Sequence, residues 1–321
     1  MLDIKFIREN KDIVKQAILN KRASVDIDEL ISLDDRRLEL SKICEGLRAE
    51  QNLASKQIAV ERDENKRAQM ISEMKLIKDD FEKNESDLRE IMESWQKIML
   101  TIPNIPSVDT PLGEDDSANV VIKEWGQKPE FSFTPKEHFE IGKALGVIDT
   151  ETATEVASSR FAYLKGDLVL MQFALIQMCY ELLGNKEVLS DIAKNANISI
   201  PVDAFMPIIP PFFVRPVAQV KMARFMGAEN HYMFPEDDLM LIGSAEHTLG
   251  TMYMDKIIEE RDLPIRLAGY STAFRREAGT YGKDTNGILR QHQFDKLEME
   301  VFSLPENSMQ EQNFLVAIQE H

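Results

Sequence analysis

From residue 33 to about residue 98 the chain contains no proline and a single glycine, Gly46. Proline ends a helix interior and glycine weakens one, so this stretch is free to be helical throughout. Apolar residues recur along it at alternating spacings of three and four. Positions 33, 37, 40, 44, 47, 51, 54 and 58 read Leu, Arg, Leu, Cys, Leu, Gln, Ala and Ile. Positions 74, 77, 81, 84, 88, 91, 95 and 98 read Met, Ile, Phe, Asn, Leu, Ile, Trp and Ile. That spacing is the seam of a coiled coil. Between the two runs, Glu61-Arg62-Asp63-Glu64-Asn65-Lys66-Arg67 has nothing apolar to bury and reads as a tight connection. Helices joined by a short polar tip run antiparallel. With roughly 30 residues each, they predict a hairpin of about 40 to 50 Å. Heptads alone do not separate a structural or dimerising coiled coil from an arm that binds a partner.

The texture then changes. Ile102-Pro103-Asn104-Ile105-Pro106, Pro111-Leu112-Gly113 and the acidic Glu114-Asp115-Asp116 read as a linker. Beyond Val120, short β-branched runs alternate with helical stretches, the pattern of an α+β body. The expected division is an N-terminal domain over 1–100 (its hairpin at about 30–98), a linker over 101–125 and a second domain over 126–321. Residues 167–183 read as a helix with Asp167 as N-cap. Residues 205–213 read as extended and proline-broken, and 239–242, 265–269 and 297–302 as strands.

Charge and cysteine content narrow the function. There are 38 basic and 55 acidic residues, a net charge of −17, which argues against a surface coated for non-specific nucleic-acid binding. A local basic patch stays open, because phosphate contacts act within about 8 Å at physiological salt. Two cysteines, Cys44 and Cys179, are too few for a disulfide framework or a cysteine-rich zinc site, and both read as small buried hydrophobes. Asp3, Lys5, Arg8 and Glu9 interrupt the N-terminal apolar residues, so no signal peptide is expected. The longest apolar stretch, 168–183, carries Gln172, Gln177 and Glu181 and falls short of the ~20 residues of a membrane span. The expectation is a soluble, cytoplasmic chain.

Chemistry concentrates between residues 266 and 298. The stretch Arg266-Leu267-Ala268-Gly269-Tyr270-Ser271-Thr272-Ala273-Phe274-Arg275-Arg276-Glu277-Ala278-Gly279 reads as a strand entering a glycine-rich loop with Gly279, Gly282 and Gly287. The segment Leu289-Arg290-Gln291-His292-Gln293-Phe294-Asp295-Lys296-Leu297-Glu298 reads as the return strand. Such a hairpin gathers Arg275, Glu277, Arg290, Phe294 and Glu298. Arginines fork onto phosphate oxygens, an aromatic face stacks on a purine, and a carboxylate holds an ammonium or a hydroxyl. Any one of these alone is an ordinary ion pair or core aromatic; the set together suits a nucleotide and a small cation.

The whole stretch resembles motif 2 of the class II aminoacyl-tRNA synthetases, in the form of the serine-specific family. Leu241-Ile242-Gly243-Ser244-Ala245-Glu246 resembles that family's Thr-Ala-Glu segment, with Ser244 in place of threonine. Ile208-Ile209-Pro210-Pro211 resembles motif 1, and Ser159-Arg160-Phe161-Ala162-Tyr163-Leu164-Lys165-Gly166 the approach to the motif 1 helix. The hairpin and the opening residues 2–21 resemble the family's N-terminal domain. The resemblance implies an antiparallel class II catalytic sheet flanked by helices, and ATP-dependent attachment of serine to its tRNA, with selenocysteine tRNA a second acceptor. It implies that Arg275, Arg276, Glu277, Arg290 and Phe294 bind ATP, Arg275 and Arg290 acting on its phosphates. It implies a serine pocket of Ser244, Ala245, Glu246 and Glu298, Mg²⁺ accompanying ATP, a homodimer built through motif 1, and a coiled-coil arm lying on the tRNA. The arm's available cations are Arg36, Arg37, Lys42, Arg48, Lys56, Arg62, Lys66 and Arg67, interleaved with acids.

No counterpart of motif 3 precedes His321, so the expectation is a fragment of a longer product. Three rival readings remain on the sequence: a non-catalytic paralogue acting as an interaction protein, an amino acid–carrier protein ligase, and a purely structural coiled coil. The arm and the lack of an obvious Cys/His site weigh against the second, and the 266–298 constellation against the third.

Overall fold

The computed structural model describes residues 2–222, 228–278 and 287–321. Gly279 and Gly282 of the expected loop lie outside the described residues. The chain divides into two compact units, Met1–Gly126 and Gln127–His321.

The first unit opens with α1 (Ile4–Glu9) and α2 (Lys11–Asn20), followed by the long helices α3 (Ile27–Val60) and α4 (Glu64–Thr101). The heptad positions form the seam. Between residues 46 and 60, only 47, 51, 54 and 58 are not fully exposed, and between 71 and 83 only 74, 77 and 81. The helices hold 34 and 38 residues, longer than the sequence suggests, and reach ~51 and ~57 Å at 1.5 Å per residue. Some of the extra length comes from the tip, where only residues 61–63 are non-helical, and the rest from the root, where α3 starts at Ile27 and α4 ends at Thr101. The Asp63 side chain accepts hydrogen bonds from the backbone N–H groups of Asn65 and Lys66 at 2.9 and 3.2 Å and caps α4. A polar residue at a helix tip has no need to be buried, so the lack of apolar residues in Glu64–Arg67 did not mark a turn. At the other end, Ile7, Val14, Ile18, Ile27, Leu30, Met99 and Ile102 form one core. Asp34, 1% exposed, is held there by Arg8 and Arg37, each at 2.8 Å.

The second unit begins with α5 (His138–Ala144), β1 (Ile148–Asp149), α6 (Thr150–Val156), β2 (Tyr163–Leu164), α7 (Asp167–Leu183) and α8 (Lys186–Asn195). Then come β3 (Met206–Ile208), β4 (Phe213–Val214), α9 (Pro216–Lys221), β5 (Met233–Phe234), β6 (Leu239–Leu241) and α10 (Glu246–Leu249). The long strands β7 (Ile265–Phe274) and β8 (Gln293–Phe302) and the helix α11 (Ser308–Glu320) complete it. The N-cap of α7 is Gly166, at φ 57°, not Asp167, which stands in the first turn where its charge suits the helix dipole. Cys44 is buried as expected, whereas Cys179 on α7 is only partly so. Among the described residues no single helix is long and apolar enough to cross a membrane.

β7 and β8 pair antiparallel over ten residues, from Ile265↔Phe302 to Phe274↔Gln293. β3 joins the other side of β7 in parallel, Met206 facing Leu267, while the β7–β8 and β4-β6-β5 pairings are antiparallel, as expected of the class II sheet. A hairpin enforces antiparallel pairing, but β3 and β7 are separated by a second sheet, β4-β6-β5, and two helices, a connection long enough for a parallel crossover. Alternation then divides the sheet. Ala268, Leu297, Met299 and Val301 pack with Leu189, Phe205 and Phe314 of the main core. Leu267, Ile265 and Phe302 on the opposite face pack with Ala245 and Leu249 of the α10 segment.

Candidate active site

The site lies on the α10 face of the β7–β8 pair. With period two, that face carries Phe294, Lys296 and Glu298 of β8 opposite Ala273, Ser271 and Gly269 of β7. Gly269 is what lets α10 come down onto the sheet: a Cβ there would stand 2.3 Å from Leu249 Cδ1. The close approach puts Ser244 and the N-terminus of α10 over Glu298. Ser244 Oγ donates to the Glu298 carboxylate, 2.6 Å from each oxygen, and the Glu246 backbone N–H donates to Oε2 at 3.3 Å. Lys296 Nζ lies 2.8 Å from Glu298 Oε1 and 3.2 Å from Ser244 Oγ. Burial pushes the Glu298 carboxyl up, but hydrogen bonds from Lys296 and Ser244 outweigh it and hold the group below its ordinary 4.5.

The Ala245 side chain does not line this site. It is 0% exposed and packs with Leu249 and Leu267, so only its backbone can face a ligand. Its small size serves the same close approach as Gly269.

Next to this cluster, the end of β6 joins the end of β7: Phe274 N–H donates to Ile242 O at 2.8 Å. Arg275 follows, and its Nε donates to Gly243 O at 3.0 Å while its guanidinium sits 5.1 Å from the centre of the Phe294 ring. Gly243 N–H in turn donates to Nδ1 of the buried His247 at 3.3 Å. Glu277, at φ 53° in the left-handed region that non-glycine residues seldom adopt, accepts a 2.7 Å bond from Arg290 Nη1. Arg276 joins through its backbone, its N–H donating to Asn230 O at 2.9 Å, and its side chain is exposed. Two groups therefore meet on one face: Arg275 with Phe294, and Ser244 with Glu298. The pair Arg290–Glu277 stands where the chain leaves the sheet.

Four residues in this neighbourhood were not singled out by sequence. Lys296 was read only as part of a motif. Its position two residues before Glu298 places both on one face and could have flagged it. Ser271, directly across from Lys296, is fully buried, and its Oγ has no hydrogen-bond partner among the described residues. His247 reaches back four residues to Gly243, a local contact within the same segment. Asp295 points the other way and accepts bonds from Thr272 at 2.7 Å and Gln172 of α7 at 2.5 Å. A cavity of about 440 Å³, bordered by Phe161, Gln172, Ile176, Gln291 and Phe294, runs beside β8. Among the described residues no group of three or more His, Cys, Asp or Glu side chains could hold a metal ion.

Comparison with known proteins agrees along the chain. Residues 1–106 match the Seryl-tRNA synthetase N-terminal domain, and residues 232–320 match the tRNA synthetase class II core domain (G, H, P, S and T). The serine–tRNA ligase of Rubrobacter xylanophilus is 37% identical over 324 residues, covering 100% of this chain and 72% of that protein. The serine–tRNA ligase of Caldanaerobacter subterraneus subsp. tengcongensis is 38% identical over 315 residues, covering 97% and 70%. The seryl-tRNA synthetase from Pyrococcus horikoshii, solved in complex with ATP, superposes with a TM-score of 0.75 at 30% identity, over 98% of this chain and 72% of that one. The cytoplasmic serine–tRNA ligase from Naegleria fowleri, in complex with AMP, gives a TM-score of 0.74 at 26% identity, over 100% and 72%. With its long helical hairpin, its β7–β8 hairpin and these relatives in hand, the chain belongs to the seryl-tRNA synthetases, the serine–tRNA ligases of class II.

Proposed function

We propose that this chain activates serine with ATP and transfers it to the terminal ribose of serine tRNA. The observation that carries the reading is the single sheet face on which an arginine–aromatic pair, Arg275 and Phe294, adjoins a hydroxyl–carboxylate pair, Ser244 and Glu298. The first pair suits a phosphate and a purine, the second a small amino acid with an ammonium and a hydroxyl. The serine carboxylate attacks the α-phosphorus and pyrophosphate leaves. A ribose hydroxyl of the tRNA then attacks the seryl carbonyl and AMP leaves. Neither step needs a protein nucleophile; both need aligned reactants and neutralised phosphate charge.

In this reading Arg275 holds the α-phosphate. Arg290 exchanges its Glu277 partner for the distal phosphates, and Glu277 turns toward the adenine side. Phe294 stacks on the base. Arg276, on the surface beside them, adds positive potential. Ser244, the Ala245 backbone, Glu246 and Glu298 enclose serine. Mg²⁺ enters on the ATP phosphates as part of the substrate, as this ion commonly does. The coiled-coil hairpin of α3 and α4 lies on the tRNA, the chain pairs with a second copy along α7 and β3, and the work is done in the cytoplasm, where translation consumes the product. Selenocysteine tRNA is a second acceptor under the same reading. Arg275→Ala tests the site. Serine-dependent ATP–pyrophosphate exchange is expected to fall by roughly 10²–10³, the worth of a charged donor aimed at a transition state, with the thermal midpoint unchanged. Near-normal exchange would sink the assignment.

A further inference from the structure

Glu298 is surrounded more completely than a carboxylate waiting for a substrate needs to be. Oε1 accepts from Lys296 and Ser244, and Oε2 from Ser244 and the Glu246 backbone. Lys296 closes a ring, because its ammonium also donates to the Ser244 oxygen that donates to Glu298. The Glu298 side chain is 15% exposed against 36% for Lys296, so the carboxylate is the buried partner and the ammonium its link to water. Besides Lys296, the titratable groups on this face of β8 and on α10 are Glu300, Glu246 and His247; Asp295 of β8 and Arg266 and Tyr270 of β7 lie on the opposite face. Lys296 supplies the cation, and without it burial, which raises the Glu298 pKa, would be opposed only by the bonds from Ser244 and Glu246.

We propose that Lys296 is a positioning residue for amino-acid selection: by bridging Ser244 Oγ and Glu298 Oε1 it fixes the carboxylate, ionised, in the orientation that receives the ammonium and hydroxyl of serine. The ladder makes this possible. Lys296 and Glu298 are two apart on β8 and share a face, and their partners across the strand pair are the small Ser271 and Gly269, which leave the space between β8 and α10 to the charged pair. Lys296 acts through Glu298 and does not itself meet the substrate. The proposal rests on the reading that Glu298 meets serine.

The test combines two readouts on wild type, Lys296→Met, Lys296→Gln and Lys296→Arg. The first is a ¹³C NMR titration of the Glu298 carboxyl, assigned with Glu298→Gln. The second is the KM for serine and for ATP in pyrophosphate exchange. Lys296→Met is expected to move the Glu298 ionisation to higher pH, since a hydrogen bond and a charge that favour the carboxylate are lost. It should raise the serine KM roughly tenfold, the scale of a charge-assisted hydrogen bond, with the ATP KM unchanged. Lys296→Arg should restore most of both. Lys296→Gln, which keeps a donor without the charge, should fall between and guards against a Met variant that misfolds. An unmoved Glu298 titration, or serine and ATP KM rising together, overturns the proposal. If Glu298→Gln leaves the serine KM where wild type has it, the amino-acid role of Glu298 fails as well. If Glu298→Gln matters and Lys296→Met does not, only the Lys296 proposal fails.

Discussion

His231 illustrates how one residue can carry a measurable signal without touching a ligand. Its ring lies 5.6 Å from that of His247, and its Nδ1 is buried with no hydrogen-bond partner among the described residues. Burial, and then the charge of Arg275, lower its pKa from the ordinary 6.5, while Glu229 pulls weakly the other way. The folded chain therefore keeps His231 neutral at a pH where the unfolded chain binds a proton. The stabilisation is present above pH 6.5 and is lost as pH falls through the depressed folded value. Thermal melts between pH 8 and pH 5 should show wild type losing more of its midpoint than His231→Gln. Parallel curves would mean that His231 titrates normally.

At the scale of elements, α11 is locked to β7 by a buried ion pair. Arg266 donates to Glu311 at 3.0 and 2.6 Å, with side chains 2% and 5% exposed, and also to Pro201 O at 2.9 Å. The Phe314 ring centre lies 5.5 Å from the guanidinium. A pair this deep contributes little net stability but is costly to break, because the survivor is left charged and dry. Arg266→Met should lose about 3–5 kcal/mol in urea denaturation. The double variant Arg266→Met/Glu311→Leu should recover most of that loss. If the double variant is as unstable as the single, the pair is contributing more than mutual neutralisation.

At the scale of the molecule, α7 poses the main question. Leu170, Met171, Phe173, Leu175 and Met178 on this one helix are each more than half exposed, as are Met206 and Ile209 at β3. Large apolar side chains left exposed in that number fit an interface between copies better than water. Phe173→Asp with Met178→Asp should convert a dimer to a monomer in light scattering; an unchanged mass would place the interface elsewhere. The hairpin has its own seam and its own core at the root, so removing residues 33–98 behind a short Gly/Ser bridge should leave pyrophosphate exchange intact and abolish tRNA charging. Equal loss of both would make the hairpin a structural brace.

What could be read without coordinates was whatever rests on periodicity or on a contiguous string. The hairpin is legible because its seam repeats every seven residues, and β7–β8 because its chemistry lies on two strands joined by one loop. The missed features depend on contacts between distant residues. Gly269 looks like an ordinary strand glycine until α10 is seen resting on it. Ala245 sits within a substrate-like string yet faces the core, because α10 turns its side chain down. The parallel pairing of β3 depends on a crossover from residue 208 to residue 265 that no local pattern announces. Lys296 shares a face with Glu298 by spacing alone, but its second partner, Ser244, 52 positions away, is brought to its ammonium only by the fold. Local sequence determines helix, strand and the chemical character of each face, since these arise from neighbours along the chain. Which faces meet, and so which carboxylate is held charged by which ammonium, is decided by packing between elements far apart in sequence.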